Sequence, residues 1–261
     1  MKIENRTFIV SGGSSGLGLA TVQLLLFKGA NLAIIDRSPP PESVLSSSHV
    51  AFYKTDITKL PELTTAVDSA ASWATSTGTP LGGVINCAGV APAASTIDRR
   101  GKAHSLEVWD SVIAINLTGS FNLTRLVLEH LVKVEPEDGE DGERGVVVLV
   151  SSSAAYEGPP GTAAYSATKG AIRSLTLPMA RDLARHAVRV VSIAPGPFSS
   201  PLTSVINDTN RKSMLDNGIL YPQRFGRPEE FARTVEWILE CPYVNGESIR
   251  LSAGGRLPAR L

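Results

Sequence analysis

Charge of one sign is what this 261-residue chain lacks most plainly: Lys and Arg number 25, and so do Asp and Glu. No global field is available to gather nucleic acid or an anionic membrane surface, so the expected partner is a small molecule. Cysteine is scarce. Cys87 and Cys241 are the only two, which fits a reduced intracellular compartment better than a disulfide scaffold, and neither has a Cys or His at ligand spacing. The four histidines, His49, His104, His130 and His186, are scattered, so no metal site is expected. No apolar run reaches the roughly 18 residues of a membrane span. The residues before Thr7 form neither a hydrophobic signal core nor an Arg-rich amphipathic presequence. A soluble chain is the expectation. With 43% apolar and 19% charged residues it can bury one large core, and one domain is expected over 1–261.

What is present begins with a strand and a glycine turn. Residues 7–10 read as a buried strand, and Ser11, Gly12, Gly13, Ser14, Ser15, Gly16, Leu17 and Gly18 as a turn opening a helix that stops at Gly29. Glycines at 12, 16 and 18 let the backbone approach a pyrophosphate, whose charge the amides and dipole of the helix N-terminus favour. A second strand, 31–36, carries Asp36 at its carboxyl end, 18 residues beyond Gly18. That is close to the offset of about 20 at which an acid accepts from the adenosine ribose hydroxyls. Such a carboxylate repels a 2′-phosphate, which favours NAD over NADP, although Arg37 beside it is a residue that accommodates that phosphate. Residues 38–48 read as a Pro/Ser-rich loop and 50–54 as a third strand, after which Asp56 and Ile57 would lie beside the adenine. A helix over about 60–74 and a strand over 83–86 follow. Strands alternating with helices at this rhythm imply a parallel, doubly wound α/β sheet of Rossmann type in three α/β/α layers, with ligands at its carboxyl ends.

Tyr165 and Lys169 are four residues apart, hence on one face of a helix. A cation within about 4–6 Å favours the phenolate, so Lys169 would lower the Tyr165 pKa and let the phenol exchange protons near neutral pH. The run Val146-Val147-Val148-Leu149-Val150 is that of a strand buried on both faces, and it ends in Ser151-Ser152-Ser153. No Gly-x-Ser-x-Gly elbow surrounds these serines, which disfavours a Ser-His-Asp hydrolase. Residues 106–134 read as a long helix with a stripe of Trp109, Val112, Ile113, Leu117, Phe121, Leu123 and Leu126. Residues 135–144, acidic and glycine-rich, lack a calcium-loop spacing and read as a solvated loop.

Ser11 to Gly18, Asn86-Cys87-Ala88-Gly89, Asn116, the serines before Tyr165, Tyr165-x-x-x-Lys169 and Pro195-Gly196 resemble, in order and spacing, the short-chain dehydrogenase/reductase superfamily. The resemblance covers nearly the whole chain, with Ser11 in place of the usual Thr and Cys87 in place of a second Asn. It implies a cofactor half over about 1–150, a catalytic and substrate half over about 151–261, and an NAD-dependent secondary-alcohol dehydrogenase. By the family's spacing Ser152 is the serine that orients the substrate oxygen. Asn116 becomes the residue that kinks the long helix and holds a relay water. Asn86, Ala88 and Gly89 join the cofactor set, and the backbone of Pro195, Gly196 and Phe198 with the Ser200 hydroxyl would hold the nicotinamide carboxamide.

Residues 198–225 offer Phe198, Leu202, Ile206, Leu215 and Tyr221, either as a substrate lid or as core contacts of two short helices. Within the superfamily, Ala154 to Gly158, Leu177 to Ala184 and Asn245 to Leu251 resemble the 3-hydroxyacyl-CoA dehydrogenases of type 2. That implies an acyl-CoA substrate, with Arg99, Arg100 and Lys102 as cations for its phosphates or as a plain solvated loop. Beyond Leu251, Ser252 stands where an Asp is usual. A dehydrogenase for a steroid or secondary metabolite, and a dinucleotide-binding scaffold subunit, are the alternatives. The resemblance also implies a homodimer or homotetramer. The last three residues, Ala259-Arg260-Leu261, look like a variant of the peroxisomal address; without it the expectation is cytoplasmic, or mitochondrial by family resemblance.

Overall fold

The structure is a computed structural model that describes residues 1–256. The tripeptide Ala259-Arg260-Leu261 lies outside the described residues.

Seven parallel strands form one sheet in the order β3-β2-β1-β4-β5-β6-β7: β1 Thr7–Ser11, β2 Asn31–Asp36, β3 Val50–Lys54, β4 Leu81–Asn86, β5 Gly145–Val150, β6 Val188–Pro195 and β7 Ser248–Leu251. Period-two alternation sends the side chains of each strand to two cores. Ile9, Ile35, Val84, Val147 and Val190 face one side with α3 (Leu60–Ser76), α5 (Ser120–Leu131) and α7 (Ala163–Leu183). Phe8, Val10, Ile34, Ile85, Val148 and Ile193 face the other with α1 (Gly16–Phe27) and α10 (Pro228–Glu240). The three layers are those expected. The order of strands reverses between β1 and β4, so the crevice outside their carboxyl ends is where such a sheet takes a ligand.

Four local expectations change. The 38–48 loop contains a short helix, α2 (Glu42–Leu45), which buries Val44. The long helix ends at Leu131 and is not uniform: α4 (Leu106–Val112) passes into a π-helical turn, Ile113–Gly119, before α5. That continuous 26-residue run, with mean hydropathy 1.2, is long and apolar enough to cross a membrane by length and composition, where the sequence suggested no such run. Its polar residues are spaced widely enough to hide the average, and Val112, Leu123, Leu126 and Val127 set its inner face in the core. The acidic loop 135–144 is more than solvated. Glu143 is buried and accepts from Arg189 Nε at 2.6 Å and from the Met1 amine at 2.9 Å, and Glu137 pairs with Arg6 at 3.2 Å. Three short helices complete the chain: α6 (Ala154–Glu157), α8 (Pro201–Ser204) and α9 (Asp208–Asn217).

Candidate active site

A cavity of about 460 Å³ opens at the carboxyl ends of β1, β4, β5 and β6. One end is the glycine turn. Gly12 sits at φ +66°, and a Cβ there would meet Ala88 N at 2.7 Å; one on Gly18 would meet Gly12 O at 2.1 Å. Side chains at these positions would push β1, α1 and the β4 exit apart, so the glycines hold the turn tight and its amides bare. The N-terminus of α1 has no side-chain cap and no acid in its first turn, which leaves its N–H groups and dipole for an anion. The Ser14 hydroxyl is buried with no partner among the described residues. Asp36 stands at the far end, its carboxylate accepting N–H from Ser14 and Ser38, each at 3.2 Å. A buried orphan hydroxyl, an open helix end and a carboxylate at the next strand's tip fit a dinucleotide in length and chemistry. Asp56 also lines the cavity, its pKa lowered by the Thr58 N–H that bonds its carboxylate at 2.9 Å.

The other end carries the reactive groups. β5 and the first turns of α7 bring Ser152, Tyr165 and Lys169 to one wall. Lys169 is buried and donates to the Val150 carbonyl at 2.8 Å; its Nζ lies 5.7 Å from the centre of the Tyr165 ring. Burial pushes its pKa down to about 8, with Cys87 opposing. Burial pushes the Tyr165 phenol up, and the Ser152 hydroxyl beside it pulls the other way. The expected lowering of Tyr165 by Lys169 therefore does not dominate: desolvation penalises the phenolate and the ammonium alike. Cys87 lines the same wall and, desolvated, is pushed up to about 12, so it stays a thiol. Ser152 Oγ accepts the Ala154 N–H at 3.1 Å, while Ser151 turns away and donates to the Lys169 carbonyl at 2.8 Å.

The cavity brings together Gly12, Ser15, Gly16, Leu17, Gly18, Asp36, Asp56, Ile57, Ala88, Gly89, Pro195, Phe198, Ser200 and Leu202 with the reactive three. Ser11, Ser14, Asn86, Asn116 and Gly196 stand behind its wall. Ser11 Oγ accepts from Ala88 N at 3.3 Å, and Asn86 Nδ2 donates to Thr124 at 3.1 Å. Asn116 sits in the π turn, fully buried; its amide clasps Val90 through both backbone atoms and reaches Thr168 at 3.2 Å. Ile206, Leu215 and Tyr221 do not reach the cavity, and Tyr221 is 85% exposed. Their hydrophobicity could not say which way α9 and the loop after it would face. Arg99, Arg100 and Lys102 lie on a hairpin outside it, closed by the Ile97–Ala103 bridge. Sequence reasoning missed Val90, Ile115 and Val150 as wall residues, and Cys87 as one, although it interrupts the Asn86 to Gly89 signature.

The short chain dehydrogenase family model matches residues 6–211. The 3-hydroxyacyl-CoA dehydrogenase type-2 of Bos taurus is 39% identical over 259 residues, covering 98% of this chain and 97% of that protein. Its Homo sapiens counterpart is 38% identical, with the same coverage of both chains. The crystal structure of 3-hydroxyacyl-CoA dehydrogenase type-2 from Mycobacterium avium superposes with a TM-score of 0.88 at 30% identity, covering 99% of both chains.

Proposed function

Because the chain belongs to the short chain dehydrogenase family, whose members bind a nicotinamide dinucleotide, we propose that it interconverts a 3-hydroxyacyl-CoA and a 3-ketoacyl-CoA with NAD. The observation that carries the reading is one cavity with the glycine turn and Asp36 at one end and Tyr165, Lys169 and Ser152 at the other. Asp36 accepts ribose hydroxyls and repels a 2′-phosphate, which supports NAD against the pull of Arg37. The bound nicotinamide supplies the hydride chemistry. Ser152 donates to the substrate oxygen, Tyr165 takes the alcohol proton or returns it to the ketone, and Lys169 stabilises the phenolate as that proton moves. Asn116 holds the π turn, through which a relay water reaches Lys169.

The acyl-CoA class is supported by the similarity to proteins of that name and by the hairpin at 97–103. Asp98 Oδ1 takes the N–H groups of Arg100 and Lys102, and Ala94 N bonds the Gly161 carbonyl, four residues before Tyr165. The three cations have no carboxylate partner among the described residues, which leaves them for phosphate. Purified protein should oxidise NADH with acetoacetyl-CoA. Turnover of a steroid or other free alcohol, with none of any 3-ketoacyl-CoA, would reject this substrate class. Leu106, Trp109, Phe121 and Leu177 are exposed and would be covered in a homodimer or homotetramer, which light scattering reads directly. A fluorescent protein given Ala259-Arg260-Leu261 as its own C-terminus should enter peroxisomes; diffuse fluorescence would refute this reading of the tripeptide.

A further inference from the structure

We infer that Thr168 is a positioning residue for the catalytic pair: its hydroxyl accepts from the Asn116 amide, donates to the Tyr165 carbonyl, and so locks the first turn of α7 to the π-helical turn. The inference rests on Tyr165 and Lys169 being the proton-transfer pair.

Thr168 is fully buried. Its hydroxyl has one proton, and the Tyr165 carbonyl 2.7 Å away can only accept, so the proton points there. Towards Asn116, at 3.2 Å, the hydroxyl must therefore accept, which requires Asn116 to present Nδ2. The other side of the amide agrees. Nδ2 gives its second proton to the Val90 carbonyl at 2.9 Å, and Oδ1 takes the Val90 N–H at 2.8 Å. Both amide protons are committed, and the orientation of the group is fixed by chemistry at both ends.

This clasp joins three elements at one point: the chain leaving β4, the π turn and α7. It also lies near the reactive group, since a Cβ on Gly89 would fall 3.2 Å from Asn116 Oδ1 and 3.6 Å from Lys169 Nζ. Thr168 stands between Tyr165 and Lys169 in the same turn, so a shift of that turn moves the phenol and the ammonium together. Replacing the hydroxyl by a methyl leaves an Asn116 N–H buried without an acceptor, a larger loss than the bond itself. Relief requires the amide to rotate or the turn to move, and displacements of about 1 Å are costly in a reacting geometry.

The test compares Thr168→Val, which keeps the shape, with Thr168→Ser, which keeps the hydroxyl. Thr168→Val should lower kcat by about thirtyfold while KM for NADH changes by less than about twofold, and Thr168→Ser should recover to within about threefold of wild type. A second reading needs no substrate: the ultraviolet titration of the Tyr165 phenolate, taken as the difference from Tyr165→Phe. It should move to higher pH in the Val variant and stay in place in the Ser variant. Wild type inert with every ketone would overturn the proposed function, and Thr168 would then be judged on this titration alone. An unchanged titration and kcat in Thr168→Val, or equal losses in Val and Ser, would overturn the inference. Should Thr168→Val not fold by circular dichroism, Thr168→Cys, which has the shape of Ser with a weak donor and acceptor in place of the hydroxyl, is compared with Thr168→Ser in both measurements.

Discussion

Two buried cations sit at opposite ends of the same sheet, and they are treated differently. Arg189, at the start of β6, gives Nε to Glu143 at 2.6 Å, Nη1 to the carbonyls of Ile238 and Val244 at 2.8 Å each, and Nη2 to the Leu239 carbonyl at 3.0 Å. Lys169, beyond the end of β5, has among the described residues one carbonyl acceptor and no carboxylate. Geometry satisfied on every side makes a buried charge structural. A buried charge left short of partners has a displaced pKa and is ready to act on something that enters. The amino ends of the strands are thus closed around their ion, and the carboxyl ends are left incomplete for a ligand.

Deleting the Tyr165 hydroxyl should break the incomplete end most severely. Tyr165→Phe is expected to lower turnover by at least about 10³-fold with NAD affinity nearly intact, read by steady-state rates and fluorescence titration. Substantial residual activity would remove Tyr165 as the proton carrier. At the closed end, Arg189→Met strips Glu143 of its guanidinium and should cost about 3–5 kcal/mol of stability in urea unfolding, while the folded fraction keeps its kcat.

Lys169→Met should have the opposite sign of effect on the unliganded fold. The lysine pKa is depressed from 10.5 to about 8, so below pH 8 folding must bury its charge, at a cost on the order of 3 kcal/mol. Between about pH 8 and 10.5 the unfolded chain holds more protons than the folded one, so that cost is relieved as pH rises. Lys169→Met should therefore be more stable than wild type at pH 7, and the gap should close by pH 10.5. A constant gap would mean the ammonium is not desolvated. Cys87, pushed up to about 12, stays a thiol through this window and adds nothing to the difference. The smallest effect expected is that of Asp36→Ala, which should shift the NAD to NADP preference by about a hundredfold towards NADP, since two hydrogen bonds to a charged acceptor are lost and a repulsion is removed. Wild type that already prefers NADP would reverse the role given to Asp36.

The incomplete end was largely legible in the sequence because its parts are local. The glycine turn is contiguous, Asp36 ends an apolar strand, and Tyr165 and Lys169 are one helical turn apart. The closed end was not, since Glu143 reads as one acid among several in a polar loop and its partner Arg189 lies 46 residues on. The direction of the Tyr165 shift also escaped, because the spacing shows a cation nearby but not how much water the fold removes. Likewise, apolar residues at Ile206, Leu215 and Tyr221 carry no mark of which side they face once α9 is placed. The π turn left no mark in the residues themselves, which keep a helical period and contain no proline; only the resemblance pointed to a kink at Asn116.

That turn bears on which changes of length the chain can tolerate. A π turn accommodates an extra residue relative to an α-helix, and here it spans Ile113–Gly119 with Asn116 at its middle. Deleting one residue there would let the helix close up as plain α, with the extra residue lost locally and α5 kept close to its register. Leu123 and Val127 would keep their places in the core, while the amide of Asn116 would swing away from Val90. Insertions should be tolerated in the hairpin at 97–103 or at residues 138–141, both at the surface. Between residues 113 and 119 the number of residues itself sets where Asn116 meets Val90 and Thr168.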